Sequence, residues 1–153
     1  MARIVNAESK PLSLVDSNII VYAMMTEHSD KRCHEKCLAL LEKGLKGELN
    51  YLLAVNPIIL VEVFSVLRKL EGCDKAEFKI TSFLRSKRLS FSPISKETCQ
   101  KAVQWAKEKN IPVNDAVIGA NMTENADLIY TVDEEHFKKL EEYGVKFCNP
   151  TQM

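Results

Sequence analysis

The sequence predicts an α/β fold in which helices cover both faces of a parallel sheet. Three observations carry this. Short apolar runs alternate along the chain with helical stretches of about ten residues or more, the pattern of successive β-α-β units. At 153 residues and 46% hydrophobic content, there is enough material for one compact core, and no room for a second full domain. No internal repeat, low-complexity tract or linker interrupts the chain, so a single domain over residues 1–153 is expected, with residues 1–11 as a polar N-terminal extension.

The elements follow in order. Leu12 to Val15 is a short apolar strand running directly into Asp16, and residues 18–25, NIIVYAMM, read as a helix. A second helix runs from Asp30, its N-cap, to about Lys43, with Gly44 as its stop. Leu49 to Val55 is the next apolar run, and Asn56-Pro57 supplies a cap and a first-turn proline for a helix reaching about Leu70. Gly72 breaks that pattern, and Asp74 is placed to cap a helix to about Ser86. Leu89 to Pro93 reads as a short strand, Ser95 caps a helix through Asn110, and Pro112 enforces a loop. Asn114 is placed to cap a helix over 115–125; Leu128 to Val132 is β-rich, Glu134 to Glu142 helical, and Val145 to Cys148 a last strand.

Composition narrows the chemistry. Lys plus Arg and Asp plus Glu both number 21, so the chain lacks the overall basic character of avid nucleic-acid binders, and any such contact must be local. The five cysteines are odd in number and irregularly spaced, which suits reduced thiols. The start has no apolar leader pattern, and no apolar stretch approaches the roughly 20 residues needed to cross a bilayer. A soluble cytoplasmic protein without membrane association is expected.

Four acids stand where solubility does not require them. Asp16 and Asp133 each follow an apolar strand, which places both at the same sheet edge if the strands are parallel. Glu62 lies within Pro-Ile-Ile-Leu-Val-Glu-Val-Phe, on one helical face with Ile59 and Val66 and bordering the core. Asp115 opens the helix DAVIGANM. Each has a purely structural explanation: Asp16 and Asp133 as N-caps, Asp115 as a partner of the helix dipole. Glu62 has the weakest one, because a carboxylate among branched apolar residues is rarely buried without a partner. Two charges about 4 Å apart repel by roughly 4 kcal/mol at an effective dielectric near 20, so four converging carboxylates call for protons or cations. An oxygen-only donor set selects Mg²⁺ or Mn²⁺ over zinc.

Leu-Val-Asp16-Ser-Asn18, Glu62 in its helix, Asn-Asp115-Ala-Val-Ile-Gly-Ala and Thr131-Val-Asp133, closing on Val-Lys-Phe-Cys-Asn-Pro150, together resemble the PIN domain family over residues 12–150. The resemblance implies a three-layer α/β/α sandwich with a central parallel sheet of four or five strands. It implies a Mg²⁺- or Mn²⁺-dependent endoribonuclease, a hydrolase acting on RNA phosphodiester bonds. Asp16, Glu62, Asp115 and Asp133 are then the catalytic, metal-binding acids, with Asn18 and Thr131 as auxiliary polar neighbours. Small chains of this family are commonly VapC-type toxins of toxin-antitoxin pairs, which implies an antitoxin partner and a homodimer. A non-toxin PIN nuclease of RNA processing, and a non-catalytic PIN-like scaffold binding RNA or protein, are the alternatives. With four of the 21 acids neutralised by metal, 21 basic groups face 17 acidic ones, and Lys79, Arg85, Lys87 and Arg88 form the candidate RNA-binding cluster.

Other features carry less. Cys33, His34 and Cys37, with His28 nearby, lack the second ligand pair of a zinc clip. Cys99 and Cys148 read as buried small hydrophobes, Trp105 and Phe137 as core or dimer contacts, and His136 as a helix-surface residue. A haloacid-dehalogenase-type phosphatase needs a second aspartate two residues after the first, where this chain has Asn18. The adjacent early carboxylates of a response-regulator receiver are missing as well.

Overall fold

The structure is a computed structural model that describes residues 10–25 and 30–153. Its elements in chain order are β1 (Leu12–Val15), α1 (Ser17–Met24), α2 (Lys31–Leu45), β2 (Leu52–Val55), α3 (Pro57–Glu71), α4 (Cys73–Leu84) and β3 (Leu89–Phe91). These are followed by α5 (Lys96–Lys109), α6 (Val113–Asn125), β4 (Leu128–Tyr130), α7 (Glu135–Lys138) and β5 (Phe147–Cys148). The five strands form one sheet in the order β3-β2-β1-β4-β5, and every neighbouring pair is parallel. With its helical layers this is the three-layer α/β/α sandwich. The chain leaves β1 for β2 on one side and later returns to β4 on the other, so connections diverge above the carboxyl ends of β1 and β4.

Burial explains the strand residues. Leu14 and Val15 in β1, Leu53, Ala54 and Val55 in β2, and Ile129 in β4 are fully buried, because a parallel sheet covered on both faces exposes neither side of its central strands. The edge strands β3 and β5 are shorter and only partly covered. Ile19 and Ile20 of α1, Ile59, Val63 and Leu67 of α3, and the run Ala116 to Met122 of α6 complete the core. Asp30, Asn56 and Ser95 cap α2, α3 and α5 through their side chains, as their sequence positions predict. Lys10 anchors the described start of the chain by donating to the carbonyls of Gly47 and Leu49.

Several local expectations are corrected by tertiary packing. Gly44 does not stop α2; it lies buried inside the helix, where Leu53 of β2 rests against it. The reversal falls at Gly47, whose φ of +79° is one that glycine adopts without strain. A Cβ at position 44 would come within 2.3 Å of Leu53 Cδ1, so Gly44→Ala should lose about 1–2 kcal/mol despite alanine's better helix propensity. Thermal melting would show a drop of roughly 2–8 °C; an unchanged or raised midpoint would mean that Leu53 can give way.

Asp74 does not cap α4; Gly72 holds the cap position without a side-chain bond, and Asp74 sits in the first turn facing the positive end of the dipole. Nor does Asn114 cap α6, which begins at Val113 directly after Pro112. The helix expected over 134–142 is α7 followed by a separate 3₁₀ turn, Glu141–Tyr143. Cys99 is exposed on α5 rather than buried, and Cys148 is half-buried on an edge strand. Trp105 and Phe137 are core residues, the former stacked on Tyr143 with ring centroids 4.6 Å apart.

Candidate metal-binding acidic site

Parallel pairing of β1 with β4 sets Val15 beside Tyr130, and the Asp16 amide continues the ladder to the Tyr130 carbonyl at 2.9 Å. Asp16 and Thr131 therefore emerge side by side at the carboxyl edge. Asp16 is 5% exposed; its Oδ1 accepts from the Ser17 amide at 2.8 Å and its Oδ2 from the Thr131 hydroxyl at 2.9 Å. Capping α1 and facing the site are thus compatible uses of one carboxylate. The Thr131 hydroxyl in turn accepts from the Asp133 amide (3.1 Å) and from Asn18 Nδ2 (3.3 Å), while Asn18 Oδ1 accepts from the Val132 amide. Asn18 and Thr131 hold Asp16 and the Asp133 loop in register.

Glu62 is half-buried on α3, at the boundary where Ile59 faces the core and Val66 is 40% exposed. Two neutral donors fix its carboxylate: Ser17 Oγ at 3.1 Å on Oε1 and Asn114 Nδ2 at 3.1 Å on Oε2. These bonds tie α1, α3 and α6 together. Sequence reading misses both partners, since it gives Ser17 no role and places Asn114 as a cap; the missed signal is a polar residue adjoining an acid in each motif. Asp115 occupies the first turn of α6, with its side chain 23% exposed. His136 is not a free surface histidine: it is half-buried, with Nε2 3.9 Å from Asp115 Oδ2. Asp133 stands exposed in the loop after β4, its Oδ1 accepting from the Glu135 amide at 3.4 Å.

The acids share one electrostatic field. Burial raises Asp16 from an ordinary 3.8 to about 7; its hydrogen bonds from Thr131 and Ser17 oppose the rise, and Asp115 and Glu62 add to it. Burial likewise raises Asp115 to about 6, with His136 opposing and Glu62 and Asp133 contributing. Among the described residues, no lysine or arginine pairs with any of the four. Oxygen donors whose neighbours add to the burial that raises Asp16 and Asp115, with no lysine or arginine paired to them among the described residues, suit a hard dication. As the side chains stand, no three Asp, Glu, His or Cys groups among the described residues are close enough to share one ion, so holding a metal requires side-chain rotation.

The proposed basic cluster lies elsewhere. Lys79 is paired with Glu71 and donates to the Met24 carbonyl. Lys87 and Arg88 precede Leu89, which enters the sheet at the edge opposite the acids, and the Arg88 guanidinium packs on Gly47. Arg85 ends α4. Cys33 and Cys37 are buried on α2, His34 Nδ1 meets the Tyr22 carbonyl at 2.7 Å, and His28 lies outside the described residues.

The PIN domain family profile matches residues 13–143, a span that contains all four acids. The chain belongs to the PIN domain family. This PIN chain is similar in fold to VapBC2 from Rickettsia felis bound to a promoter DNA fragment, with 22% identity, TM-score 0.67, and coverage of 90% of this chain and 98% of that one. It is similar to VapC20 from Mycobacterium tuberculosis, described as a sarcin-ricin loop cleaving toxin, with 16% identity, TM-score 0.64, and coverage of 82% and 93%. VapBC-1 from nontypeable Haemophilus influenzae aligns with 18% identity, TM-score 0.65, and coverage of 92% and 98%. Comparison with curated proteins returns no match. No helix among the described residues of this PIN chain is long and apolar enough to cross a membrane.

Proposed function

We propose that this PIN protein is a metal-dependent endoribonuclease and the toxin of a toxin-antitoxin pair. The observation that carries the reading is that Asp115 and Glu62 add to the burial that raises Asp16, and Glu62 and Asp133 to the burial that raises Asp115, with no lysine or arginine paired to any of the four among the described residues. Family membership and the toxin neighbours support it. An antitoxin partner, a homodimer and a cytoplasmic setting belong to the same proposal.

The four acids are the metal ligands in this reading. When bound, Mg²⁺ or Mn²⁺ supplies Lewis-acid stabilisation of phosphoryl charge and acidifies a bound water. The chain's own part is positional. Thr131 and the Ser17 amide hold both oxygens of Asp16, and Ser17 Oγ and Asn114 hold those of Glu62, so each carboxylate keeps its place at the site until a bound ion would draw it in. His136 sets its imidazole beside Asp115.

The test is incubation of purified protein with mixed RNAs in Mn²⁺, with and without EDTA, beside Asp16→Asn. The parent should cut only with metal, and the variant should lose about 10³-fold or more. Equal cutting by both proteins would identify a contaminant and remove the nuclease reading.

A further inference from the structure

A second, polar cavity of about 210 Å³ opens next to the acidic site, lined by Tyr22, Asp30, Arg32, Cys33, Val132 and Thr151. Two of its lining residues adjoin the segments that carry that site. Val132 follows Thr131, the partner of Asp16, and donates its amide to Asn18. Tyr22 lies one helical turn beyond Asn18 on α1.

The walls are held in place independently of any ligand. Arg32 Nη2 donates to the Thr151 carbonyl at 2.8 Å, and Asn149 Oδ1 accepts from the Thr151 amide and hydroxyl at 2.9 and 2.7 Å. Asp30 Oδ1 accepts from the Cys33 amide at 2.9 Å, and His34 ties α2 to the Tyr22 carbonyl. A carboxylate using one oxygen for a cap keeps further acceptor positions, and an arginine with one N–H engaged keeps the others.

The volume is below that of pockets for drug-sized ligands and suits a single ring system. Unstacked RNA bases are recognised by such sets: an aromatic or guanidinium plane for the ring and fixed polar groups for its edge. Guanine is the base whose pairing edge offers adjacent imino and amino donors, the complement of a carboxylate. We propose that this cavity is a nucleobase subsite that seats a guanine flanking the scissile phosphate, with Asp30 reading its pairing edge and Tyr22 and Arg32 contacting its ring. This rests on the nuclease reading for its place in a reaction, but not for base binding itself.

The test uses the full chain in two arms. In EDTA, Asp16→Asn protein is titrated with labelled oligouridylate and with the same strand carrying one guanine, adenine or cytosine. The guanine strand should bind about tenfold tighter or more, the discrimination expected of a bidentate base contact; adding Asp30→Asn, which preserves the helix cap, should bring it to within about twofold of the others. In the second arm, cleavage of a randomised RNA in Mn²⁺ should enrich guanine at one position beside the cut, and Asp30→Asn alone should flatten that enrichment. Equal binding of all strands, absence of RNA binding, preference for another base, or a guanine preference untouched by Asp30→Asn overturns the subsite. Guanine-selective binding without metal-dependent cutting leaves the subsite standing and removes the nuclease reading; cutting with no base preference does the reverse.

Discussion

Metal-free Asp16→Asn should melt about 4–8 °C above the parent at pH 8, and no gain should be left at pH 4.5. Asp16 has a folded pKa of about 7 against an ordinary 3.8, with burial as the first cause. A carboxyl raised in the fold favours folding when protonated, so its contribution is fully present below about pH 3.8 and is lost as pH rises toward 7. Above that point the ionised group costs on the order of 4 kcal/mol. Asparagine removes the charge and keeps one oxygen for the Ser17 amide, while its NH₂ faces a Thr131 hydroxyl able to turn and donate to the Asp133 carbonyl. Imperfect replacement of those bonds reduces the expected gain to about 2 kcal/mol. Saturating Mn²⁺ should reverse the order by stabilising the parent, because a cation that binds the native state offsets the same repulsion. Calorimetry at the two pH values decides it: a variant no more stable than the parent at pH 8, or a gain equal at both values, would mean that Asp16 carries no ionisation penalty.

That site was legible in the sequence to the extent that topology alone places a residue. Asp16 and Asp133 follow strands, and strands joined through helices run parallel, so their shared edge follows from order along the chain. The five-stranded sheet follows from the same alternation. What was illegible depends on the far side of a contact. Asn114 looks like a cap because asparagine commonly is one, yet α3 lies close enough for it to bond Glu62. Gly44 looks like a stop, and only the position of Leu53 shows that the missing side chain serves packing against β2. Lys79 looks available in the sequence and is paired across a helix hairpin with Glu71. Cys99 looks like a core residue by type, whereas the buried face of α5 is made by Thr98, Ala102 and Trp105. Local propensity thus identified elements and acids; partner choice required coordinates.

Asn56→Ala should cost about 3 kcal/mol and lower the melting midpoint by roughly 6–12 °C, the largest loss expected from a single polar residue here. Asn56 is fully buried at the start of α3, where its Oδ1 accepts from the Ile59 amide at 2.9 Å. Losing a cap of this kind costs about 1 kcal/mol. Its Nδ2 donates at 3.0 Å to Oδ1 of Asn121, which is also fully buried and itself donates to the Pro93 carbonyl at 3.1 Å. Alanine therefore strands a buried acceptor on α6 as well as an amide on α3, and an unsatisfied buried group costs about 1–3 kcal/mol where no water reaches it. The two asparagines join the carboxyl end of β2 to the helices that carry Glu62 and Asp115, so this polar pair sets the spacing of two of the four acids. A double-mutant cycle separates that coupling from the cap. If the pair acts as a unit, Asn121→Ala should cost about 1 kcal/mol or more less in the Asn56→Ala background than in the parent, since its partner is already gone. Strict additivity would mean that the two amides stabilise α3 and α6 independently.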